Sequence, residues 1–479
     1  MKPFSALSFS FLILLLVEEA TASGIDQKLV HLKEKFEEKL ASPLASPNTS
    51  DKKRDGRVFY PIGYGADPSG EQDSSDAILQ ALDDAFKLRT GRELLSGISD
   101  FGGEVIDLQG GSYKITKPIR FPSSGGGNFL VRGGTLRASD AFPGDRHLIE
   151  LWSTDSQPTD QRDQNAKYYY EDITFRDILF DSSYRGGGIL IVDSARIRIN
   201  NCFFLHFTTQ GILVQRGHET FISSCFLGQH STVGGSKDEK QFAGTAIDLA
   251  SNDNAVTDVA IFSAAIGIVL RGQANILTGV HCYNKATSLG GIGILVKLAG
   301  CSQTRIDNCY LDYTAIVMED PVQVHVTNGF FLGDANVVLK SVKGKISGLN
   351  IVDNMFSGQE DNMVPIIKLD GKFTDVDQVV IDRNNVNGMR LKSTVGKLTV
   401  AGNGTKWVAD FSSLLVFPNR INHLQYSFYI QGGKRKFPKH GVTDVSKNVV
   451  VVESKKAVNG VVSVTVDQYS IIGEKNLLE

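Results

Sequence analysis

The chain has 479 residues and a formal net charge of −3, with 50 Lys and Arg against 53 Asp and Glu. This balance argues against a nucleic-acid-binding protein, which needs a basic patch or stripe. Hydrophobic residues make up 41% and charged residues 22%, as in ordinary globular proteins. The 48 Gly and 13 Pro favour many tight turns between ordered strands.

Residues 1–22 have the pattern of a secretory signal peptide. Lys2 supplies the positive start, an apolar run extends from Phe4 to Val17, and Ala20-Thr21-Ala22 is a cleavage motif. The apolar run is shorter than the roughly 20 residues that a membrane-spanning helix needs. We therefore predict a secreted protein of the extracellular space or cell wall, without membrane contact once the signal is removed.

Two helical patterns follow the signal. Residues 23–57 form a helical and linker segment, with apolar residues at helical spacing and then a Pro-, Asn- and charge-rich stretch. A second helix is predicted from about Asp73 to Leu88, with Ser74 or Ser75 as its cap. Six apolar residues line one face of this helix: Ala77, Ile78, Ala81, Leu82, Ala85 and Phe86.

The cysteines and the sequons fit an exported chain. The five cysteines leave at least one without an intramolecular disulfide, and none is paired as C-x-x-C, so no zinc site is predicted. Metals and cofactors in general are not predicted. Asn48 and Asn403 begin N-x-S/T sequons, which predict N-glycosylation.

Between about residues 172 and 390 the sequence repeats itself at intervals of about 20 to 35 residues, a period typical of stacked-repeat folds. One recurring unit is Gly-Ile followed by apolar residues, and a second is an Asn-containing turn before an apolar strand. Without helices between the strands, this pattern predicts a right-handed parallel β-helix from 58 to 398 and favours it over a β-sandwich. Residues 399–479 have a different strand pattern and are predicted to form a C-terminal β cap, because a solenoid needs capped ends.

Side chains alternate across a strand, so position within the Gly-Ile unit distinguishes two faces. The first and third positions after the Gly are all aliphatic or Met and predict the core face: Ile189/Ile191, Ile212/Val214, Ile247/Leu249, Ile268/Leu270, Ile294/Val296, Ile316/Met318 and Val337/Leu339. The second and fourth positions are predicted to face water. They place Asp248, Arg271 and Lys297 on one exposed stripe, with neighbouring coils about 4.8 Å apart.

This stripe has two interpretations. As a substrate groove, Arg271 and Lys297 bind the carboxylates of an acidic polysaccharide, and Asp248 acts in general acid–base catalysis. As a solvated face, the same charges form cross-strand ion pairs. Asp253 is the second catalytic candidate, and Gln215 and His281 are further candidate substrate contacts.

Several stretches resemble the pectin-lyase-like superfamily, and within it the plant QUARTET-type polygalacturonases. The opening from Phe59 to Gly70 and the Gly-Gly segments at 102–103 and 110–111 are similar to many β-helix proteins. The stretches from Gly244 to Val259 and from Gly272 to Thr287 are similar to the QUARTET-type group more specifically. The resemblance implies hydrolysis of α-1,4-galacturonan in cell-wall pectin, with inversion, in a glycoprotein that acts in pollen wall separation.

The chain departs from the common polygalacturonase signatures. Thr208-Thr209-Gln210 stands where that family has Asn-Thr-Asp, Gly244-Thr245 where it has Asp-Asp, and Ala265-Ile266-Gly267 where it has Gly-His-Gly. Only Lys297 carries over from Arg-Ile-Lys. Asp248 and Asp253 are therefore the substitute carboxylates, and an inverting pair stands about 6.5–9.5 Å apart.

Three functions remain open from the sequence. The first is a monomeric polygalacturonase acting on polygalacturonate or pectin. The second is a pectate or rhamnogalacturonan lyase, in which a basic residue such as Arg271 or Lys297 abstracts a proton. The third is a pectin-binding wall protein without catalysis.

Overall fold

A computed structural model describes residues 52–156, 167–229, 242–283, 291–297, 302–432 and 437–470. The predicted signal peptide, the sequon at Asn48 and residues 23–51 of the predicted helical and linker segment lie outside these residues. The chain divides into two compact units: Met1–Ala246 with Phe262–Ala264 form unit 1, and Ile247–Ile261 with Ala265–Glu479 form unit 2. The fold is all-β, a right-handed parallel β-helix, as the repeat predicted.

Near its start, after two short strands, unit 1 has a 3-10 helix, Pro61–Tyr64, and an α-helix, Ser75–Phe86. The six apolar residues predicted on one helix face are all buried. The ring of Phe86 contacts Phe101 at 4.4 Å and Phe121 at 5.6 Å between centroids, so the helix covers the aromatic core of the first coils. Neither predicted serine caps the helix through its side chain; instead the carboxylate of Asp73 accepts the backbone N–H of Ser75 at 3.2 Å.

The strands of unit 1 pair in parallel from coil to coil, for example Gly126–Ala138 with Tyr170–Asp181 and Gly187–Val192 with Gln210–His218. Short antiparallel pairs occur only at its start within the described residues. Its strands are Arg54–Asp55, Val58–Phe59, Glu93–Leu95, Ile98–Asp107, Ser112–Ile115, Ile119–Arg120, Gly126–Ala138, His147–Leu151, Tyr170–Asp181, Gly187–Val192, Ser194–Ala195, Arg198–Asn200, Phe203–Leu205, Gln210–His218, Phe221–Ser223 and Phe226–Gly228.

Unit 2 continues the same pattern of parallel strands. Those that fall wholly or mainly in it are Thr245–Asn252, Ala255–Phe262, Ile266–Leu270, Ile276–Tyr283, Gly291–Val296, Thr304–Asp307, Tyr310–Asp312, Thr314–Glu319, Val324–Thr327, Phe330–Leu332, Asn336–Lys340, Lys345–Ser347, Asn350–Val352, Met355–Ser357, Ile367–Asp370, Asp375–Asp377, Val380–Asp382 and Asn385–Asn387.

The chain ends in an antiparallel sheet, as predicted for the C-terminal cap. Its strands are Val395–Asp410, His423–Ile430, His440–Ser446 and Val449–Asp467, and the last pairs with the other three. The sheet has its own hydrophobic core around Trp407, whose indole N–H donates to the backbone oxygen of Gly460 at 3.1 Å. The backbone N–H of Gln468 donates to Thr394 O at 2.9 Å, which ties the sheet to the end of the coils in unit 2.

The predicted core face is confirmed at every repeat. All fourteen first- and third-position residues of the Gly-Ile units are at most 1% exposed. The small polar residues predicted at turns also have left-handed backbone, with φ of 51° at Asn201, 52° at Asn308 and 55° at Asn328. Asn adopts this conformation more readily than most residues because its short amide makes local hydrogen bonds.

Candidate functional site

Asp248 and Arg271 form a bidentate ion pair in unit 2. Nε and Nη2 of Arg271 donate to Oδ1 and Oδ2 of Asp248 at 2.9 and 2.7 Å. The backbone N–H of Arg271 donates to Leu249 O at 2.9 Å, so the two side chains leave neighbouring strands on the same side. Two parallel charge-assisted hydrogen bonds fix the guanidinium and the carboxylate in one plane.

Arg271 begins a column of charged residues, which we call the charged column. Leu270 pairs with Val296 in the next coil, so Arg271 and Lys297, which follow them, stand at the same position of neighbouring coils. Further along, Glu319 pairs with Lys340, and Lys340 pairs with Asp370. Lys297, Lys340 and Asp370 are exposed, and Nζ of Lys340 lies 3.1 Å from Oε1 of Glu319. Successive members stand about 4.8 Å apart along the ladder. The column therefore presents Lys297 as an exposed cation between the ion pair of Arg271 with Asp248 and the ion pair of Lys340 with Glu319.

The predicted exposure of this stripe is wrong at its most important residue. Asp248 is only 8% exposed, and Val269, its neighbour along the face, is 6% exposed. The two residues point away from the core, as their parity predicts, but the guanidinium of Arg271 covers the carboxylate. Alternation along a strand identifies the face of a side chain and not what covers that face.

Asp253 lies beyond the end of the strand Thr245–Asn252. It is exposed in a left-handed turn with φ of 58°, and its backbone N–H donates to Gln273 O at 3.0 Å. The four strand steps from Asp248 to Asn252 alone span about 13 Å at about 3.3 Å per residue. This span is longer than the roughly 6.5–9.5 Å between the carboxyl groups of an inverting pair.

His281 lies on a different set of strands in unit 2. Its ring contacts Tyr310 in the neighbouring strand, with 4.4 Å between centroids. Burial lowers the pKa of His281 to about 4, so the imidazole is neutral at pH 7. Its strand pairs with Thr304–Asp307 and Tyr310–Asp312 and not with the strands that carry the charged column.

Gln215 belongs to unit 1, where it pairs in register with Val192 on the face turned away from the core. The same face carries a buried cluster that sequence reasoning missed. Glu150, in register with Arg120 and Leu190, is 1% exposed and accepts hydrogen bonds from Arg146 Nε at 2.7 Å and Trp152 Nε1 at 3.0 Å.

The environment of Glu150 stabilises its charge. Burial raises the pKa of Glu150, but the hydrogen bonds from Arg146 and Trp152 outweigh burial, so the pKa lies below its ordinary value. The guanidinium of Arg120 stacks on Trp152, with its Cζ 3.4 Å from the ring centroid. The strand His147–Leu151 lacks the Gly-Ile motif, and only its alternation of residue types could have indicated this face.

The described residues contain no group of three or more His, Cys, Asp or Glu side chains placed to hold a metal ion. Cys202, Cys225, Cys282 and Cys309 are buried thiols without disulfides. In the same part of the chain, every helix is too short or too polar to cross a bilayer. The sequon residue Asn403 is exposed on the strand Val395–Asp410.

The parallel coils and the charged strand face define a pectin-lyase-like β-helix protein. Over 418 residues, the sequence is 54% identical to polygalacturonase QRT3 of Arabidopsis thaliana, covering 86% of this chain and 84% of that protein. The chain therefore belongs to the QRT3-type polygalacturonase family. No protein-family model matches the sequence.

Solved structures support the fold alone, since their sequence identities are low. Endo-xylogalacturonan hydrolase from Aspergillus tubingensis aligns with a TM-score of 0.50 at 11% identity, covering 69% of this chain and 92% of its own. ORF18 of Geobacillus virus E2 aligns with a TM-score of 0.51 at 12% identity, covering 83% of this chain and 76% of its own.

Proposed function

We propose that the protein is a glycoside hydrolase that cleaves α-1,4-galacturonan in cell-wall pectin. The 54% identity to a polygalacturonase over 86% of the chain carries this proposal. The charge arrangement at Asp248, Arg271 and Lys297 supports it, because an acidic polysaccharide needs cations for its carboxylates and a carboxylate for the chemistry. We further propose that the protein is secreted and acts as a monomer in the cell wall, including during the separation of pollen walls.

Arg271 and Lys297 are the proposed uronate contacts. Lys297 follows the strand Gly291–Val296 and exposes its ammonium, while Arg271 is held in one plane by Asp248. A fixed guanidinium binds a carboxylate in one orientation, and a lysine binds it as a point charge. Together the two residues would hold a substrate uronate above the carboxylate of Asp248.

Asp248 is the proposed catalytic carboxylate. It accepts two hydrogen bonds from Arg271 and so has the arrangement of a base that activates water rather than of an acid. Asp253 remains the predicted second carboxylate, although the length of the strand opposes direct cooperation with Asp248. Gln215 and His281 remain predicted substrate contacts, His281 as a neutral imidazole.

The lyase alternative is weaker if Arg271 is the base, and Lys297 remains its other candidate base. In a β-elimination, Arg271 would have to accept a proton, but both guanidinium nitrogens that face Asp248 donate to that carboxylate. Arginine is also protonated under all conditions in which proteins are folded. Arg271 therefore fits a role in binding rather than in proton abstraction.

The decisive experiment measures reducing ends and ultraviolet absorbance together during incubation with polygalacturonate. We expect new reducing ends without the absorbance of an unsaturated sugar. Asp248→Asn should lower the rate at least 100-fold, whereas Asp353→Asn should leave it unchanged, because Asp353 forms a similar bidentate pair with Arg383 on an exposed turn. An unaltered rate in Asp248→Asn would remove this residue from the mechanism, and Asp253→Asn tests the second carboxylate.

A further inference from the structure

A polar cavity of about 380 Å³ lies in unit 2, on strands that do not carry the charged column. Its floor is a row of residues in register on four parallel strands, Arg305, His325, Asn350 and Val380. The next residue in each of these strands is buried in the core, so the row itself faces outward; these buried residues are Ile306, Val326, Ile351 and Ile381. The four residues are separated by three strand spacings of about 4.8 Å, so the row is about 14 Å long.

A second row of residues forms one wall of the cavity, and each of its members precedes a member of the first row by two positions in the sequence. It consists of Gln303, Gln323, Gly348 and Gln378, and all four have left-handed backbone, with φ of 57°, 52°, 66° and 51°. Three of the four positions thus carry an amide side chain, of which that of Gln378 donates to Oδ2 of Asp377 at 3.0 Å, and one carries no side chain. A Cβ at Gly348 would lie 3.3 Å from Cα and Cγ of Gln323, so the backbone of Gly348 lies close against Gln323.

The lining of the cavity favours an anion. None of the ten lining residues is acidic, and Arg305 is an exposed cation that makes no salt bridge within the described part of the chain. Burial and the nearby Arg305 lower the pKa of His325, and Nε2 of His325 lies 2.9 Å from the amide nitrogen of Asn350. An amide nitrogen only donates, so His325 is neutral and accepts through Nε2.

The remaining lining groups suit a hydroxylated ligand. The side chains of Gln303, Gln323 and Asn350 offer both N–H donors and carbonyl acceptors, and Tyr469 adds a phenol at the edge. One cation, several amides and an aromatic ring are the groups that bind a sugar unit with one carboxylate. The volume lies within the range of about 300–1,000 Å³ that is typical of small-ligand pockets.

We propose that this cavity is a second binding site for a uronic acid unit, separate from the charged column. Arg305 binds the carboxylate, and the amides of the glutamine row bind ring hydroxyls. The identity of the sugar acid as galacturonate rests on the proposed function. A site of this kind would hold an acidic polysaccharide at a second point, so that the enzyme stays bound between cleavages.

Two variants test the site through different physical effects. Arg305→Ala removes the cation, and Gly348→Gln adds a side chain to the wall of the cavity without changing charge. Gln323 and Gln378 adopt the same left-handed conformation on the neighbouring strands, but a Cβ at Gly348 would lie 3.3 Å from Cα and Cγ of Gln323, so Gly348→Gln also displaces the side chain of Gln323. Arg383→Ala is the matched control, since Arg383 is also an exposed arginine in unit 2, in a left-handed turn with φ of 53°, and does not line the cavity.

The measurement is calorimetric titration of the full chain with trigalacturonate, in the Asp248→Asn background to prevent cleavage. We expect at least a tenfold loss of affinity, or the loss of one class of sites, for both Arg305→Ala and Gly348→Gln. Arg383→Ala should bind as the background does, and a neutral galactose trisaccharide should not compete. Thermal unfolding of each variant confirms that it is folded.

The outcomes separate this site from the proposed activity. Binding that depends on Arg305 in a protein that releases no reducing ends would support the cavity and contradict the hydrolase. Two results together would overturn the cavity proposal and leave the hydrolase intact: normal cleavage by the wild-type protein, and an affinity for trigalacturonate that neither variant changes.

Discussion

At the scale of single residues, the molecule repeatedly places an arginine against a carboxylate from a neighbouring strand or turn. Asp248 and Arg271 in unit 2 are one case. Asp193 and Arg216 in unit 1 are another, with Nε and Nη2 at 2.9 and 3.0 Å from the two carboxylate oxygens. The side chains of Asp193 and Arg216 are only 8% and 14% exposed. Such pairs can be structural, so burial and geometry alone do not identify a catalytic residue.

We predict that Asp193→Asn destabilises the protein by about 3 kcal/mol, because it removes the carboxylate charge that faces the largely buried guanidinium of Arg216. Asn suits the left-handed backbone at this position, φ 46°, so the change acts on the charge rather than on the turn. Chemical denaturation measures the free energy of unfolding. Asp353→Asn breaks a bidentate pair of the same geometry on the surface and should have little effect. Equal losses in the two variants would contradict the prediction.

The sequence predicted only part of the candidate site. Parity along the strand correctly assigned Asp248, Arg271 and Lys297 to one face, because β-strand alternation is a local property. The second interpretation of the stripe anticipated cross-strand ion pairs, and Asp248 and Arg271, 23 residues apart in sequence, form one. The sequence did not predict that Asp248 would be only 8% exposed. The cavity at Arg305 was also missed, since it needs the register of four strands and a missing side chain at Gly348.

At the scale of the element, the Gly-Ile motif has a steric cause in the strands. A Cβ at Gly267 would lie 2.4 Å from the backbone oxygen of Gly293 in the next coil and 3.2 Å from Sγ of Cys282. Neighbouring coils therefore approach too closely at this position for a side chain. The motif was recognisable in the sequence because the close approach of neighbouring coils recurs in each repeat. Strands of two or three residues were not predicted, because they are too short to show an alternating pattern.

Gly267→Ala should therefore destabilise the protein by about 1–3 kcal/mol, the usual cost of forcing extra atoms into a packed interior. The backbone carbonyl of Gly293 cannot move without disturbing the parallel ladder. Gly441→Ala provides the control, because a Cβ at Gly441 would have no neighbour within 4 Å. Thermal or denaturant unfolding compares the two variants, and a fully stable Gly267→Ala would show that the coils can separate at little cost.

At the scale of the whole molecule, buried neutral histidines link stability to pH. Burial lowers the pKa of His147 in unit 1 and of His281 in unit 2 to about 4 in each case. An unfolded histidine takes up a proton near pH 6.5. Between about pH 6.5 and 4 the unfolded chain therefore binds more protons than the folded chain, and the free energy of unfolding falls as the pH is lowered.

We predict that the free energy of unfolding decreases on acidification from pH 7 to pH 4.5, by at most about 1.4 kcal/mol per pH unit for each histidine. His281→Phe should reduce this pH dependence, because Phe preserves the ring contact with Tyr310 and cannot be protonated. Denaturation curves at several pH values measure the slope. An identical slope in His281→Phe and the wild-type protein would exclude His281 as a contributor.

The left-handed residues that recur at Gln303, Gln323, Gly348 and Gln378 have a consequence for how this chain tolerates insertions and deletions. Each marks the same point in a successive turn of the backbone, and each pairs only with the turns before and after it. A duplicated or deleted full turn would preserve the pairing within the remaining turns, while one extra residue within a strand would reverse the orientation of the side chains that follow it in that strand. The length of this region can therefore change in whole turns, and the composition of each added turn sets which ligands the lengthened surface binds.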